Sequence, residues 1–211
     1  MKKRRFSDKQ RGKRTRKRKP IMFLSLEGNN KTEKLYLKAI NEDYGEKFAL
    51  KFTSGRETDP ANMWQALQDM IDDSFSPSDG DKAFCICDRD FEGYKENLLI
   101  EIKQKSRKSE AKLIISNPII EIWFLNHFKY STRTYTSKRE LIDDLCNYIP
   151  CYEKNADYYT SHLKAKTDDA IRNSIRQVDQ ANARDSFDGS IPDNPGTEFF
   201  EVVQSISSIV I

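Results

Sequence analysis

Short apolar runs alternate with helical patterns along residues 21–128, and that alternation constrains the fold more than any other feature of the chain. Ile21-Met22-Phe23-Leu24-Ser25-Leu26 reads as a strand, about 31–43 as a helix, about 47–53 as a strand, 60–73 as a helix and 82–88 as a strand. A further round follows, with a helix over 94–108, a strand at Lys112-Leu113-Ile114-Ile115 and an unusually apolar helix from Pro118 to Phe128. The helix at 60–73 carries the clearest signals: Asp59 as N-cap, Pro60 at the first helical position, and one apolar stripe of Met63, Trp64, Leu67, Met70 and Ile71. Repeated βα units predict an α/β domain, a parallel sheet flanked by helices. Beyond Tyr130 the alternation stops. Helices are predicted at 137–149, 164–180 and near 197–208, with a loop rich in Asp, Gly and Pro from Asp185 to Gly196. The expected organisation is a basic, disordered arm at 1–20, an α/β domain at 21–130, and a mainly helical extension of the same domain at 131–211.

A chain of 211 residues that is 37% hydrophobic can bury a core of ordinary size. Its net charge of +3 conceals two opposed regions: residues 1–19 hold 12 Lys or Arg against Asp8 alone, and the rest holds 24 basic and 32 acidic residues, a net of −8. A basic arm gains affinity for polyanions by releasing their counterions, so nucleic acid, DNA or RNA, is the expected partner. Arg4, Arg5, Arg14, Arg16, Lys17, Arg18 and Lys19 in the arm, with Lys31 after the first strand, are the candidate phosphate contacts. The bland reading of the arm is a solubilising tail. No apolar stretch follows the arm's charges as in a secretory signal, and the run 21–26 is too short to span a bilayer, so a cytoplasmic protein with no membrane partner is expected. The four cysteines lack good zinc-site spacing and read as small buried hydrophobes.

Chemistry concentrates where the strands end. Asp88-Arg89-Asp90 closes the run Lys82-Ala83-Phe84-Cys85-Ile86-Cys87, and Glu27-Gly28 closes the first strand. Residues i and i+2 of a strand face the same way, and ligands of α/β folds collect at the carboxyl ends of strands. Three carboxylates at two such ends outline a divalent-cation site, since Mg²⁺ takes hard oxygen ligands and needs only one or two from the protein. Other readings of Asp88-Arg89-Asp90 remain: an aspartyl nucleophile, or a solvated loop with no role. A calcium loop fails at its twelfth position, Leu99. Glu33 fits a capping box with Asn30 as N-cap. Glu121, among Ile119, Ile120, Ile122, Trp123, Phe124 and Leu125, needs a partner that is either a cation or a structural Lys or Arg. His127 reads as a hydrogen-bonded core histidine. There is no P-loop, no Gly-x-Ser-x-Gly and no Gly-x-Gly-x-x-Gly.

Four blocks in order resemble the RloB-like family, placed with the TOPRIM superfamily of topoisomerases, primases and OLD-type nucleases. They are Leu26-Glu27-Gly28 followed by Lys31-Thr32-Glu33; Asp88-Arg89-Asp90; Ser116-Asn117-Pro118 with Glu121, Trp123, Leu125, His127 and Phe128; and Asn194-Pro195-Gly196-Thr197. Between Gly28 and Thr32 the chain has three residues where the family pattern has two. The resemblance implies a TOPRIM-like Rossmannoid sheet with Glu27, Asp88 and Asp90 as catalytic carboxylates around Mg²⁺, or Mn²⁺ in its place, and Glu121 as a further metal ligand. It also implies a nuclease of phage defence and abortive infection, and the family's company in defence loci suggests an ATPase as a further partner; this chain has no P-loop of its own. The rival reading is a non-catalytic nucleic-acid-binding adaptor.

Overall fold

Successive side chains of a strand point to opposite faces of its sheet, and here each central strand feeds two separate cores. The computed structural model describes residues 18–28, 32–183 and 191–210. Within these, strands β1 (Ile21–Leu26), β2 (Ala49–Phe52), β3 (Lys82–Asp88), β4 (Ala111–Asn117) and β5 (Gly196–Thr197) form one sheet in the order β2-β1-β3-β4-β5. All neighbours pair in parallel except β4 and β5, which are antiparallel. The helices are α1 (Thr32–Asp43), α2 (Pro60–Asp72), α3 (Glu96–Ser106), α4 (Glu121–Asn126), α5 (Lys138–Cys146), α6 (Thr167–Asn182) and α7 (Phe199–Val210). This is a mixed α/β fold, as the alternation predicts, and of the Rossmannoid type that the family resemblance implies.

On one face Met22, Leu24, Leu26, Phe84, Ile86 and Ile114 pack with residues of α1, α4, α5 and α7. On the other, Phe23, Ala83, Cys85, Cys87, Leu113 and Ile115 pack under α2 and α3 through Met63, Trp64, Leu67, Leu99 and Ile102. Asp59 caps α2 as predicted, its Oδ1 accepting from Ala61 N at 3.0 Å and Asn62 N at 3.2 Å. The two faces fix register. A slip of one residue in β3 would carry Phe84, Ile86 and Asp88 together to the wrong side of the sheet.

The departures from expectation lie where periodicity is weakest. Two residues suffice for β5, and its place comes from side chains instead. Asn194 accepts from Tyr135 N and donates to Tyr135 O at 3.1 and 2.8 Å, and Ser116 Oγ meets Thr197 Oγ1 at 2.8 Å. A Cβ on Gly196 would lie 2.7 Å from the Asp193 carbonyl oxygen, so only glycine fits there. Pro118 to Ile120 form a turn rather than helix, so α4 starts at Glu121. Residues 159–166 wind as a π-turn and a short 3₁₀ turn before α6 begins. Among the described residues no helix is long and apolar enough to cross a membrane.

The start of β1 is held by a buried carboxylate. Asp81 Oδ1 accepts from Ile21 N at 2.8 Å and Arg18 Nη1 at 3.0 Å, while Oδ2 accepts from Arg18 Nη2 at 2.6 Å and Ser76 N at 2.9 Å. Asp81→Ala removes four hydrogen bonds and strands two backbone donors, so a loss of about 2–3 kcal/mol is expected in urea unfolding. Arg18→Gln, whose partner keeps both backbone donors, is expected to cost less. Equal unfolding midpoints for Asp81→Ala and the parent would show that Asp81 does not anchor β1.

Candidate functional site

Because β1 and β3 are adjacent and parallel, both carboxyl ends open on the same edge of the sheet. Glu27 follows β1 directly. The chain then turns through Gly28 at φ +53°, a left-handed conformation that glycine adopts without strain, and Gly28 N donates to Glu57 O at 2.8 Å. Asp88 is the last residue of β3 and is buried, on the face of Phe84 and Ile86. Over that face lie α1 and α4, which bring Glu33 and Glu121 in their first turns, both buried. The partial positive charge at a helix start favours a carboxylate there.

Asp88, Glu33 and Glu121 repel one another. Burial, then the charges of Glu33 and Glu121, push the Asp88 carboxyl well above the usual carboxylate range. Burial also moves Glu33 from an ordinary 4.5 to about 7, with Glu121 and Glu27 adding to the shift and Lys154 opposing it. The compensation is thin. Glu121 Oε1 accepts from Tyr152 Oη at 3.2 Å and lies 3.3 Å from Lys154 Nζ, while its buried Oε2 has no hydrogen-bond partner among the described residues. Burial works against the charge of Lys154, but Glu121, Asp88 and Glu33 outweigh it and raise its pKa.

Glu27 and Asp90 belong to a second group. Lys95 donates to Glu27 Oε1 and Asp90 Oδ2, both at 2.6 Å, and is itself buried. Burial opposes its charge, yet the two carboxylates more than offset this and hold its pKa above the ordinary value. The expectation that Asp88 and Asp90 face the same way does not carry over. β3 ends at Asp88, and Asp90 sits in a left-handed turn at φ +63°, its N–H bonded to Pro118 O at 2.9 Å. Arg89, between them, pairs with Glu96 at 2.5 Å.

The four predicted ligands therefore divide, Asp88 with Glu121 and Glu27 with Asp90. Glu33, Lys95, Tyr152 and Lys154 join them unforeseen. His127 is buried as expected, its Nδ1 2.9 Å from Trp123 O, and burial lowers its pKa to about 4. Of the predicted phosphate contacts, Arg18 is held by Asp79 and Asp81, and Lys19 donates to Glu46 O at 2.6 Å. Arg4, Arg5, Arg14, Arg16, Lys17 and Lys31 lie outside the described residues, as does Asn30, the predicted cap.

The donors are of the hard-oxygen kind that Mg²⁺ takes, and the excess of buried carboxylate over ammonium leaves room for a cation's charge. Among the described residues, no three such side chains are grouped closely enough to hold a metal ion by themselves.

Residues 22–206 match the family described as RloB-like protein. The chain belongs to the RloB-like family. No curated protein and no solved structure matches it. Seen through the RloB-like blocks, the Lys-Thr-Glu segment is the signal by which Glu33 could have been found, because the block pairs it with Glu27 across the turn. Lys95, Tyr152 and Lys154 lie outside every block, and no local pattern marks them.

Proposed function

We propose that this RloB-like protein is a Mg²⁺-dependent nucleic-acid phosphodiester hydrolase, an endonuclease of TOPRIM type that serves phage defence. The observation that carries the reading is the buried, mutually repelling cluster of Asp88, Glu33 and Glu121 at the carboxyl edge of the sheet, with Glu27 beside it. Asp88 and Glu121 would hold the cation, with Glu33 within reach of its charge. When bound, such an ion stabilises the charge on a phosphoryl oxygen and lowers the pKa of water. Lys95 fixes Oε1 of Glu27 and leaves Oε2 to take a proton from an attacking water. Lys154, 3.3 Å from Glu121 Oε1, offsets part of the cluster's negative charge.

The basic arm fits a role in capture rather than cleavage. Arg18 and Asp81 sit at the start of β1 and β3, the opposite pole from Glu27 and Asp88, about 20 Å away over six strand residues. Residues 1–17 could span about 55 Å if extended, enough to follow a bound strand around the domain. The experiment is cleavage of plasmid, single-stranded DNA and total tRNA with Mg²⁺, Mn²⁺ or EDTA, comparing the parent with Asp88→Ala and with a deletion of residues 1–17. Metal-dependent cutting that Asp88→Ala loses while it still binds is the expected result. The deletion is expected to weaken binding and flatten its salt dependence. Cutting that persists in Asp88→Ala would overturn the assignment; binding with no cutting under any metal would favour an adaptor, or an effector that an ATPase partner must activate.

A further inference from the structure

A cavity of about 230 Å³ adjoins the carboxylates, lined by Glu27, Thr58, Asp59, Pro60, Tyr94, Lys95 and Leu98. Glu27 and Lys95 belong to both cavity and site. Tyr94 stands at 69% exposure, where a large aromatic ring gains nothing from the core. The other exposed large apolar side chain among the described residues, Tyr148, stacks on Phe128 with ring centres 5.0 Å apart, whereas Tyr94 has no ring partner there. Lys95 Nζ lies 5.6 Å from its ring centre.

We propose that this cavity takes one unpaired base, stacked on Tyr94, of the strand whose phosphate lies at the carboxylates. The substrate is then single-stranded or locally unpaired nucleic acid rather than continuous duplex; this rests on the hydrolase reading. Three features select a base over other occupants. The volume falls below the roughly 300–1,000 Å³ of a pocket for a whole small molecule, which suits a single planar group. The Asp59 carboxylate repels a phosphate but accepts from the N–H groups of a neutral heterocycle, since it spends only Oδ1 on capping α2. An exposed ring next to a cationic side chain is the usual platform for unpaired bases, and a base inside a duplex cannot reach it.

Binding is measured with the full chain carrying Asp88→Asn to suppress cutting, at salt high enough to weaken the arm's phosphate contacts. The probes are labelled DNA and RNA oligonucleotides, single-stranded and as duplexes, with 2-aminopurine at one position. Single strands are expected to bind at least tenfold more tightly than duplex, and Tyr94→Ala to lose about tenfold of that affinity. Tyr94→Phe is expected to keep both the affinity and the stacking-induced loss of 2-aminopurine fluorescence. The DNA and RNA arms separate the two sources of unpaired base. Equal single-strand affinity in Tyr94→Ala and its parent would overturn the proposal, as would equal affinity for single strand and duplex, or a Tyr94→Phe as weak as the alanine variant. A Tyr94-dependent preference in a chain that cuts nothing with Mg²⁺ or Mn²⁺ would leave the base pocket standing and remove the hydrolase. Cutting by a chain whose Tyr94→Ala variant binds normally would do the reverse.

Discussion

Asp88→Asn is expected to raise the melting temperature of the metal-free protein at pH 8 while reducing metal-dependent cleavage by a thousandfold or more. The two effects have one cause. Asp88 is buried beside Glu33 and Glu121, and all three push against one another's charge. Its raised pKa means that the folded state binds the proton more tightly than the unfolded chain, so this carboxyl stabilises the fold at low pH and the contribution fades as pH rises. An amide has the same shape and no charge to desolvate, and removing such a burden is worth about 1–3 kcal/mol. The gain is expected at pH 8 and absent below about pH 3, where the carboxyl is neutral in both states. Cleavage should disappear because an amide holds a divalent cation poorly. Thermal melts at the two pH values, alongside cleavage assays, read both effects. An Asp88→Asn that melts lower than the parent at pH 8 would show that its carboxylate is compensated by contacts other than those identified. A site that trades stability for charge placement is the usual arrangement where function demands it.

How much of this was legible in the sequence depended on distance along the chain. The apolar runs at 21–26 and 82–88 stated β1 and β3 outright, and Asp59-Pro60 gave the start of α2, because those signals are local. β5 was not legible, being two residues placed by Asn194, Gly196 and Thr197. Within the site, Asp88 and Glu27 followed from the strand ends. The claim that Asp88 and Asp90 share a face assumed that β3 runs on, and it stops at Asp88. Glu33 was read as a capping residue because its spacing from Asn30 satisfies that local rule, and nothing nearby in sequence reveals that Asp88 and Glu121 are its neighbours. Lys95 and Lys154 were invisible for the same reason: the carboxylates that define them lie up to 68 residues away for Lys95, at Glu27, and 33 positions away for Lys154, at Glu121. Cations that answer a cluster of carboxylates are selected by the fold, so only the acidic half of such a site leaves a pattern in the strand ends.

The metal-free protein is also expected to lose stability as pH rises from about 4.5 to 7, and Glu33→Gln to remove the share of that slope that Glu33 contributes, leaving the share of Asp88. Burial moves Glu33 from 4.5 to about 7. Between those values the folded state holds a proton that the unfolded chain has released, so unfolding becomes easier with each step up in pH, by about 3 kcal/mol in total. Glu33→Gln keeps the side chain's shape and takes no part in the titration, so it should be the more stable protein at pH 8 and no more stable than the parent near pH 4. Divalent cation supplies the test that a merely structural account would fail. A cation binds the ionised carboxylates and releases their protons, so Mg²⁺ should stabilise the parent more at pH 8 than at pH 5 and flatten the slope. Calorimetry of parent and Glu33→Gln across that range, with EDTA or Mg²⁺, reads all four curves. A flat metal-free curve for the parent would mean that Glu33 is not held in a charge-poor cavity. A slope that Mg²⁺ leaves untouched would mean that the protons at this sheet edge do not stand in the place of a cation.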